Sequence, residues 1–316
     1  MNFNPSVAIA MATYNGSRYV AGQLDSLFAQ TASDWVLLIR DDGSTDETAG
    51  IVKKYQEAHP GKIAVIEDGQ KNLGPRDNFG RLIECAEAEY LMFCDQDDVW
   101  LPDKIERTLA RMQKLEQRFG RDIPLLVHTD MTVADEDLRP IAPSFWAYQK
   151  MDPGRGEHFQ RIFIGNVANG CTVMINRKLK DMALPIPPGT IMHDWWLALI
   201  AAAFGKIDYI PDQTVLYRLH SRNVVGASPW SLHYLFQKLM QVHDRRALLE
   251  CLIETGKQAE AFLSRFGSLL TAANREKARA YAGLAEQGPI NKRFLVIRHG
   301  FLRSGLIRNI SLLLRM

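Results

Sequence analysis

An open α/β fold, with helices on the faces of a mostly parallel sheet, is what this chain of 316 residues predicts. Three observations lead there. Short apolar runs alternate with amphipathic stretches through the first half, as in successive βαβ units. Clusters of polar residues stand directly after those runs, where open α/β sheets bind ligands. From Trp230 onward strand signals stop and the pattern is mostly helical.

The elements follow in order. Val7 to Ala12 is an unbroken apolar run of strand length, followed by a helix over Arg18 to Ala29. Trp35 to Ile39 is the second strand. Ser44-Thr45-Asp46-Glu47 reads as a capping box opening a helix that runs to Ala58. Ile63 to Ile66 is the third strand, and a helix over Arg76 to Ala88 leads to the strand Tyr90 to Phe93. Pro102 suits the first turn of the next helix, which runs to Gln117. Leu125 to His128 is another strand. Phe145 to Gly156 is aromatic and Gly/Pro-bearing, and is expected to form a loop over the site. Cys171 to Ile175 reads as a strand, Leu184 to Gly189 as a rigid loop, and His193 to Phe204 as a helix. Short strands are expected at Asp208 to Ile210 and Val215 to Tyr217. The expected division is 1–228 for the α/β domain and 229–316 for a helical C-terminal region.

Hydrophobic content of 47% and charged content of 23% are ordinary for a globular protein with a large core. The net charge of +2 argues neither for nor against nucleic acid. Cys85, Cys94, Cys171 and Cys251 form no CxxC pair and no zinc-finger spacing, so free buried thiols are expected. The first residues carry no basic and apolar leader, and no unbroken apolar stretch reaches the length of a membrane span. A cytoplasmic protein is the expectation. The segment Asn291 to Met316 has six Lys/Arg, no Asp or Glu, and interleaved large apolar residues. It suits either an anionic membrane surface or packing on its own domain. Gly300 and Gly305 weaken any isolated helix there.

The densest chemistry is Cys94-Asp95-Gln96-Asp97-Asp98-Val99-Trp100, which sets three carboxylates within four residues at a strand end. Clustered like charges disfavour one another's ionisation, so a cation is the natural neutraliser. Oxygen ligands suit Mg²⁺ or Mn²⁺, and Mg²⁺ is commonly shared between carboxylates and substrate phosphates. Asp41-Asp42 follows the second strand; one of the two is expected to accept hydrogen bonds from a base or ribose. Asp194, in His193-Asp194-Trp195-Trp196, suits either a helix N-cap or a general base held ionised by the helix N-terminus. Trp195 and Trp196 could stack on a sugar or simply fill the core. His220 follows a strand and is a candidate third metal ligand or phosphate contact. Arg218 and Arg222 could pair with diphosphate oxygens or be surface charges.

Taken together, Thr13-Tyr14-Asn15-Gly16, Asp41-Asp42-Gly43-Ser44-Thr45-Asp46, Asn72-Leu73-Gly74, and Asp95 through Pro102 form an ordered set. Asn169-Gly170-Cys171-Thr172, His193 to Trp196, and Tyr217-Arg218-x-His220-x-x-Asn223 continue it. This order resembles family 2 glycosyltransferases with the GT-A fold, a Rossmann-like sheet flanked by helices. The resemblance spans Val7 to Asn223 and is nearest to bacterial rhamnosyltransferase-like members of surface-polysaccharide pathways.

The resemblance implies inverting, metal-dependent transfer of a sugar, with L-rhamnose the candidate, from a nucleotide-diphosphate donor to a saccharide or lipid-linked acceptor. Asp194 would be the catalytic base, although His193 stands where the family commonly has an acid. Thr13, Tyr14, Asn15, Asp41, Asp42, Asn78, Asp95, Gln96, Asp97 and Arg218 would bind the nucleotide sugar. Asn169, Gly170, Trp195 and Trp196 would meet the sugar or acceptor. Asp97, Asp98 and His220 would hold Mg²⁺ or Mn²⁺. Nucleic acid is not an expected partner, and peripheral contact with the inner membrane face is expected through the C-terminal tail. A non-catalytic nucleotide-sugar or polysaccharide-binding or scaffold module is the alternative. A nucleotidylyltransferase would carry a Gly-rich basic loop after the first strand, and a dehydrogenase a GxGxxG there; this chain has neither.

Overall fold

The computed structural model describes residues 5–155, 158–220 and 245–316. Arg222 and Asn223, and the expected helical stretch from Trp230 to residue 244, lie outside the described residues.

The chain divides into two units. The first takes Met1–Phe145, Ala168–Ile186 and Met192–Gly226; the second takes Trp146–Val167, Pro187–Ile191 and Ala227–Met316.

In the first unit, the apolar runs form the strands β1 (Val7–Thr13), β2 (Trp35–Asp41), β3 (Ile63–Val65) and β4 (Tyr90–Asp95). They lie parallel in the order β3-β2-β1-β4. Their side chains are buried almost throughout, as expected for a sheet covered on both faces. The helices between them are α1 (Val20–Phe28), α2 (Thr48–Ala58) and α3 (Gly74–Cys85).

Beyond β4 the sheet becomes mixed. β5 (Val99–Trp100) precedes helix α4 (Lys104–Phe119), and β6 (Leu125–Ala134) and β7 (Pro140–Ala142) follow it. β8 (Met174–Asn176) pairs antiparallel with both β4 and β6. Helices α7 (Arg177–Ala183) and α8 (His193–Phe204) lead into β9 (Lys206–Arg218). β9 runs parallel to β6 and antiparallel to β5, so its end arrives beside the loop between β4 and β5.

Four local expectations are corrected. Ser44 and Glu47 do not form a capping box: α2 starts at Thr48, and Ser44 is bound instead to Asp41. Pro102 lies ahead of α4 rather than in its first turn, and its carbonyl accepts from Thr31 N. Cys171 does not begin a strand. Asn169 O accepts from both the amide and the hydroxyl of Thr172, which winds Gly170–Thr172 into a 3-10 turn before β8. The two expected strands near 208 and 215 are one strand, with Pro211 and Asp212 accommodated where the register with β6 shifts. Proline cannot donate to a ladder, so a bulge is where it fits.

The second unit is helical. The aromatic stretch after Phe145 is not a plain loop: it holds α5 (Phe145–Tyr148) and a 3-10 turn at Pro153–Arg155. Then come α6 (Phe159–Ile162), α9 (Arg245–Phe266) and α10 (Ala272–Ala282). Phe163 packs against Phe159, Phe262, Tyr281 and Phe301, which centres this core. The C-terminal segment is two helices, α11 (Pro289–His299) and α12 (Leu306–Arg315), separated where Gly300 takes the left-handed conformation that ends α11.

Candidate functional site

Strand register brings the polar turns together. Thr13 lies beside Asp41, and Ala12 beside Asp95, so the ends of β1, β2 and β4 open on one rim.

On the β2 side, both carboxylates are heavily used. Asp41 accepts from Thr13 Oγ1 at 2.9 Å, Ser44 Oγ at 2.6 Å, Ser44 N at 2.8 Å and Gly43 N at 3.2 Å. A carboxylate offers about four acceptor positions, so Asp41 is saturated. Asp42 accepts from Leu73 N at 2.9 Å, Gly74 N at 2.8 Å and Arg40 Nη1 at 3.2 Å. One position on its Oδ2 stays open, which makes Asp42 the better candidate for a base contact. Asn78 is buried, and its amide accepts from Arg40 Nη1 at 3.1 Å and donates to Arg40 O at 3.3 Å. Its place is therefore behind Asp42, as a support for Arg40. Arg40 is completed by Asp68, whose carboxyl that guanidinium holds well below the usual carboxylate range.

The turn after β1 is clamped from both sides. Asn15 Oδ1 accepts from Thr45 N at 2.8 Å, and Asn15 N donates to Ser44 Oγ at 2.8 Å. Gln96 exchanges two hydrogen bonds with the Tyr14 backbone, at 3.0 and 2.9 Å. A Cβ on Gly16 would stand 2.1 Å from Gln96 Oε1, so a larger residue there would push the Gln96 amide off the Tyr14 backbone. The Tyr14 ring is half exposed and available for contact.

The acidic loop carries uncompensated charge. Asp98 is fully buried; its Oδ1 accepts from Arg218 N at 3.0 Å, while its Oδ2 has no hydrogen-bond partner among the described residues. Burial, then the neighbouring Asp97 and Asp95, push its carboxyl well above the ordinary range. Asp95 is pushed up to about 7, first by burial and then by the charges of Asp97 and Asp194. Ligand atoms of Asp95, Asp98 and Cys171 all lie within 4.8 Å of one another. Cys171 is the weakest member of this set. Burial and the adjacent carboxylates push its thiol well up, so it stays a neutral thiol. The carboxylates alone suit a hard divalent cation, and the orphaned Asp98 Oδ2 is the group that such an ion would satisfy.

Asp97 Oδ2 lies 2.8 Å from His220 Nε2. His220 also stacks on Tyr19 at 4.9 Å, and the Arg218 guanidinium covers the same ring at 4.8 Å. Arg218 donates to Asp97 O at 2.7 Å and to Glu136 O. Its side chain thus fastens the acidic loop.

Asp194 completes the group. It lies in the first turn of α8, where Met192 rather than Asp194 is the N-cap. Its Oδ2 accepts from Gly170 N at 3.0 Å and its Oδ1 from Trp195 N at 2.7 Å. Its charge reaches Asp95, so the sequence-distant carboxylates share one neighbourhood. Asn169 and Gly170 form the adjoining turn, and Trp195 is partly exposed. Trp196 is corrected to a core residue: it is fully buried and donates from Nε1 to Ala183 O at 3.1 Å. His193 is also packed inside, stacked on Phe79 at 4.0 Å, with burial holding its imidazole down to about 3.

Two residues escaped the sequence reading. Tyr19 falls within the expected helix Arg18 to Ala29, and nothing in its spacing marks it; in the structure it stands just ahead of α1. Lys104 is fully buried beneath the acidic loop, donates to Thr214 Oγ1 at 3.2 Å, and is lowered to about 8 by burial. Its position close after the aspartates was the available signal.

Residues 8–119 match the model of "Glycosyl transferase family 2". The chain is 30% identical over 233 residues to the dTDP-rhamnosyl transferase RfbG of Shigella flexneri, covering 69% of this chain and 74% of that one. A solved structure of residues 1–349 of S. aureus TarS with UDP-GlcNAc aligns with a TM-score of 0.51 at 17% identity, covering 93% of this chain and 92% of that one. The mannosyltransferase PcManGT of Pyrobaculum calidifontis, solved with GDP-Man and Mn²⁺, aligns with a TM-score of 0.53 at 16% identity, covering 99% and 86%. At such identities the structures speak to the fold, which is GT-A.

Proposed function

Because the chain belongs to glycosyltransferase family 2, we propose that it transfers a sugar, L-rhamnose from a dTDP donor in the first instance, to a hydroxyl of a saccharide or lipid-linked acceptor, with inversion. The observation that carries this reading is one neighbourhood holding an under-neutralised acidic loop and a separate carboxylate, Asp194. In this reading Asp42 receives the base and the clamped turn Thr13–Gly16 lines the nucleotide. Asp95, Asp97 and Asp98, with His220, face the diphosphate and would hold Mg²⁺ or Mn²⁺. When bound, that ion supplies positive charge against the charge growing on the leaving diphosphate.

Asp194 takes the proton of the acceptor hydroxyl as its oxygen bonds to the anomeric carbon and the carbon–oxygen bond to the diphosphate breaks. Backbone donation from Gly170 N and Trp195 N fixes the carboxylate's orientation. Trp195 and the Asn169-Gly170 turn border the sugar. A RfbG-like donor preference is the simplest inference from the 30% relative.

The test is a thermal-shift screen of dTDP-rhamnose, UDP-glucose, UDP-galactose and UDP-N-acetyl sugars with and without Mn²⁺. The expected result is a metal-dependent shift largest for dTDP-rhamnose, followed by slow donor hydrolysis. A UDP sugar giving the largest shift overturns the donor assignment. Binding without hydrolysis or transfer to any acceptor moves the protein to the non-catalytic class.

A further inference from the structure

Seven of the twelve exposed large apolar residues among the described residues fall between Ile290 and Leu314. They are not scattered. On α11, Ile290, Phe294 and Ile297 are 83, 55 and 63% exposed. Their spacing puts them within about 60° of the helix circumference. On α12, Leu306, Ile307, Ile310 and Leu314 occupy an arc of about 100°. The buried residues Val296 and Leu312 stand on the opposite sides of their helices. The two helices are tied to each other, since Arg293 Nε donates to Leu313 O at 2.8 Å. Beside Ile290 and Phe294 an open apolar hollow of about 450 Å³ extends the surface at the start of α11.

We propose that α11 and α12 together form a plate that lies on an anionic bilayer surface, with these seven side chains entering the headgroup–acyl boundary. Among the described residues, each helix buries a side chain on the side away from the stripe, Val296 on α11 and Leu312 on α12. The charge selects the occupant. Residues 291–316 carry Lys292, Arg293, Arg298, Arg303, Arg308 and Arg315 and no acidic residue. Arg293 and Arg298 lie on either side of the α11 stripe, Arg298 also pairing with the exposed Glu276 at 3.3 Å. An anionic lipid surface complements such a rim. A second copy of this chain would bring two like-charged rims together, which association disfavours. No described helix is long and apolar enough to cross a membrane, so the plate would lie in the interface rather than span it.

The experiment uses the full chain. Co-sedimentation is measured with vesicles of phosphatidylglycerol and phosphatidylethanolamine, and with phosphatidylcholine alone, at 50 and 500 mM salt, roughly bracketing strong and weak screening. Light scattering in parallel gives the mass in solution. Binding is expected to the anionic vesicles, weaker at high salt and weakest to phosphatidylcholine. The triple variant Ile290→Ser/Phe294→Ser/Ile310→Ser changes only exposed side chains and should lose at least about tenfold in vesicle partitioning. Its donor thermal shift should be unchanged, which shows that the fold and donor site survive. Failure of wild type to bind anionic vesicles overturns the proposal. So do equal binding of the triple variant and a concentration-dependent dimer that the triple variant abolishes.

Discussion

Replacing Asp95 with Asn should change how stability depends on pH, in a direction fixed by the structure. Burial and the charges of Asp97 and Asp194 move the Asp95 carboxyl from an ordinary 3.8 up to about 7. Between those pH values the folded protein keeps a proton that the unfolded chain has lost. Stability from this group is therefore complete below about pH 4 and declines as pH rises toward 7. At about 1.4 kcal/mol per pH unit, the whole excursion is about 4 kcal/mol, an upper bound because Asp98 shares the field.

Other groups act in the opposite sense. His128 and His193 are held by burial at about 4 and about 3. The unfolded chain protonates them first as pH falls, so they add stability as pH rises toward about 6.5. The wild-type curve alone is thus a mixture, whereas the difference between wild type and Asp95→Asn removes the histidines. Urea unfolding at intervals from pH 4 to 8, without divalent cation, should show the variant gaining on wild type by about 2–4 kcal/mol across that range. Millimolar Mg²⁺ or Mn²⁺ should shrink the gap by stabilising wild type. Parallel curves would refute the claim that the acidic loop is short of positive charge.

Asp194→Asn should keep donor affinity by calorimetry while transfer falls by ~10²–10⁴-fold, the usual worth of a general base. Near-normal turnover removes Asp194 from the mechanism. Asp98→Ala should abolish the metal dependence of donor binding, and unchanged affinity with metal would place the cation elsewhere. Gly205→Ala should lower stability by about 1–3 kcal/mol, because its Cβ would stand 1.7 Å from Pro124 O, a backbone atom that cannot swing aside. Equal urea midpoints would contradict that close approach.

Much of the first unit was legible because its strands are buried on both faces. Val7 to Ala12 and Tyr90 to Phe93 announce themselves as uninterrupted apolar runs, and the strands there extend to Thr13 and Asp95. The antiparallel additions were harder to read. β8 is three residues long, and β9 is crossed by Pro211, so neither leaves a strong period. The reading of Ser44 failed for a related reason. A Ser-x-x-Glu pattern matches a cap, but the hydroxyl found a nearer carboxylate in Asp41. Asn78 and Trp196 were eligible by type and spacing, yet burial commits both to the interior.

The sequence alone determined that acidic residues would gather at strand ends and that Asp194 would open a helix, since both follow from local periodicity. It also determined the family, through the order of the motifs. Which carboxylate keeps an open acceptor position was decided only by tertiary structure. Asp41 and Asp42 are adjacent and chemically identical, but four donors saturate one and three leave the other open. Asp98 Oδ2 lacks a hydrogen-bond partner among the described residues because the backbone amide that β9 brings goes to Oδ1. Acceptor count, burial and shared charge depend on neighbours distant in the chain, and the fold supplies those neighbours.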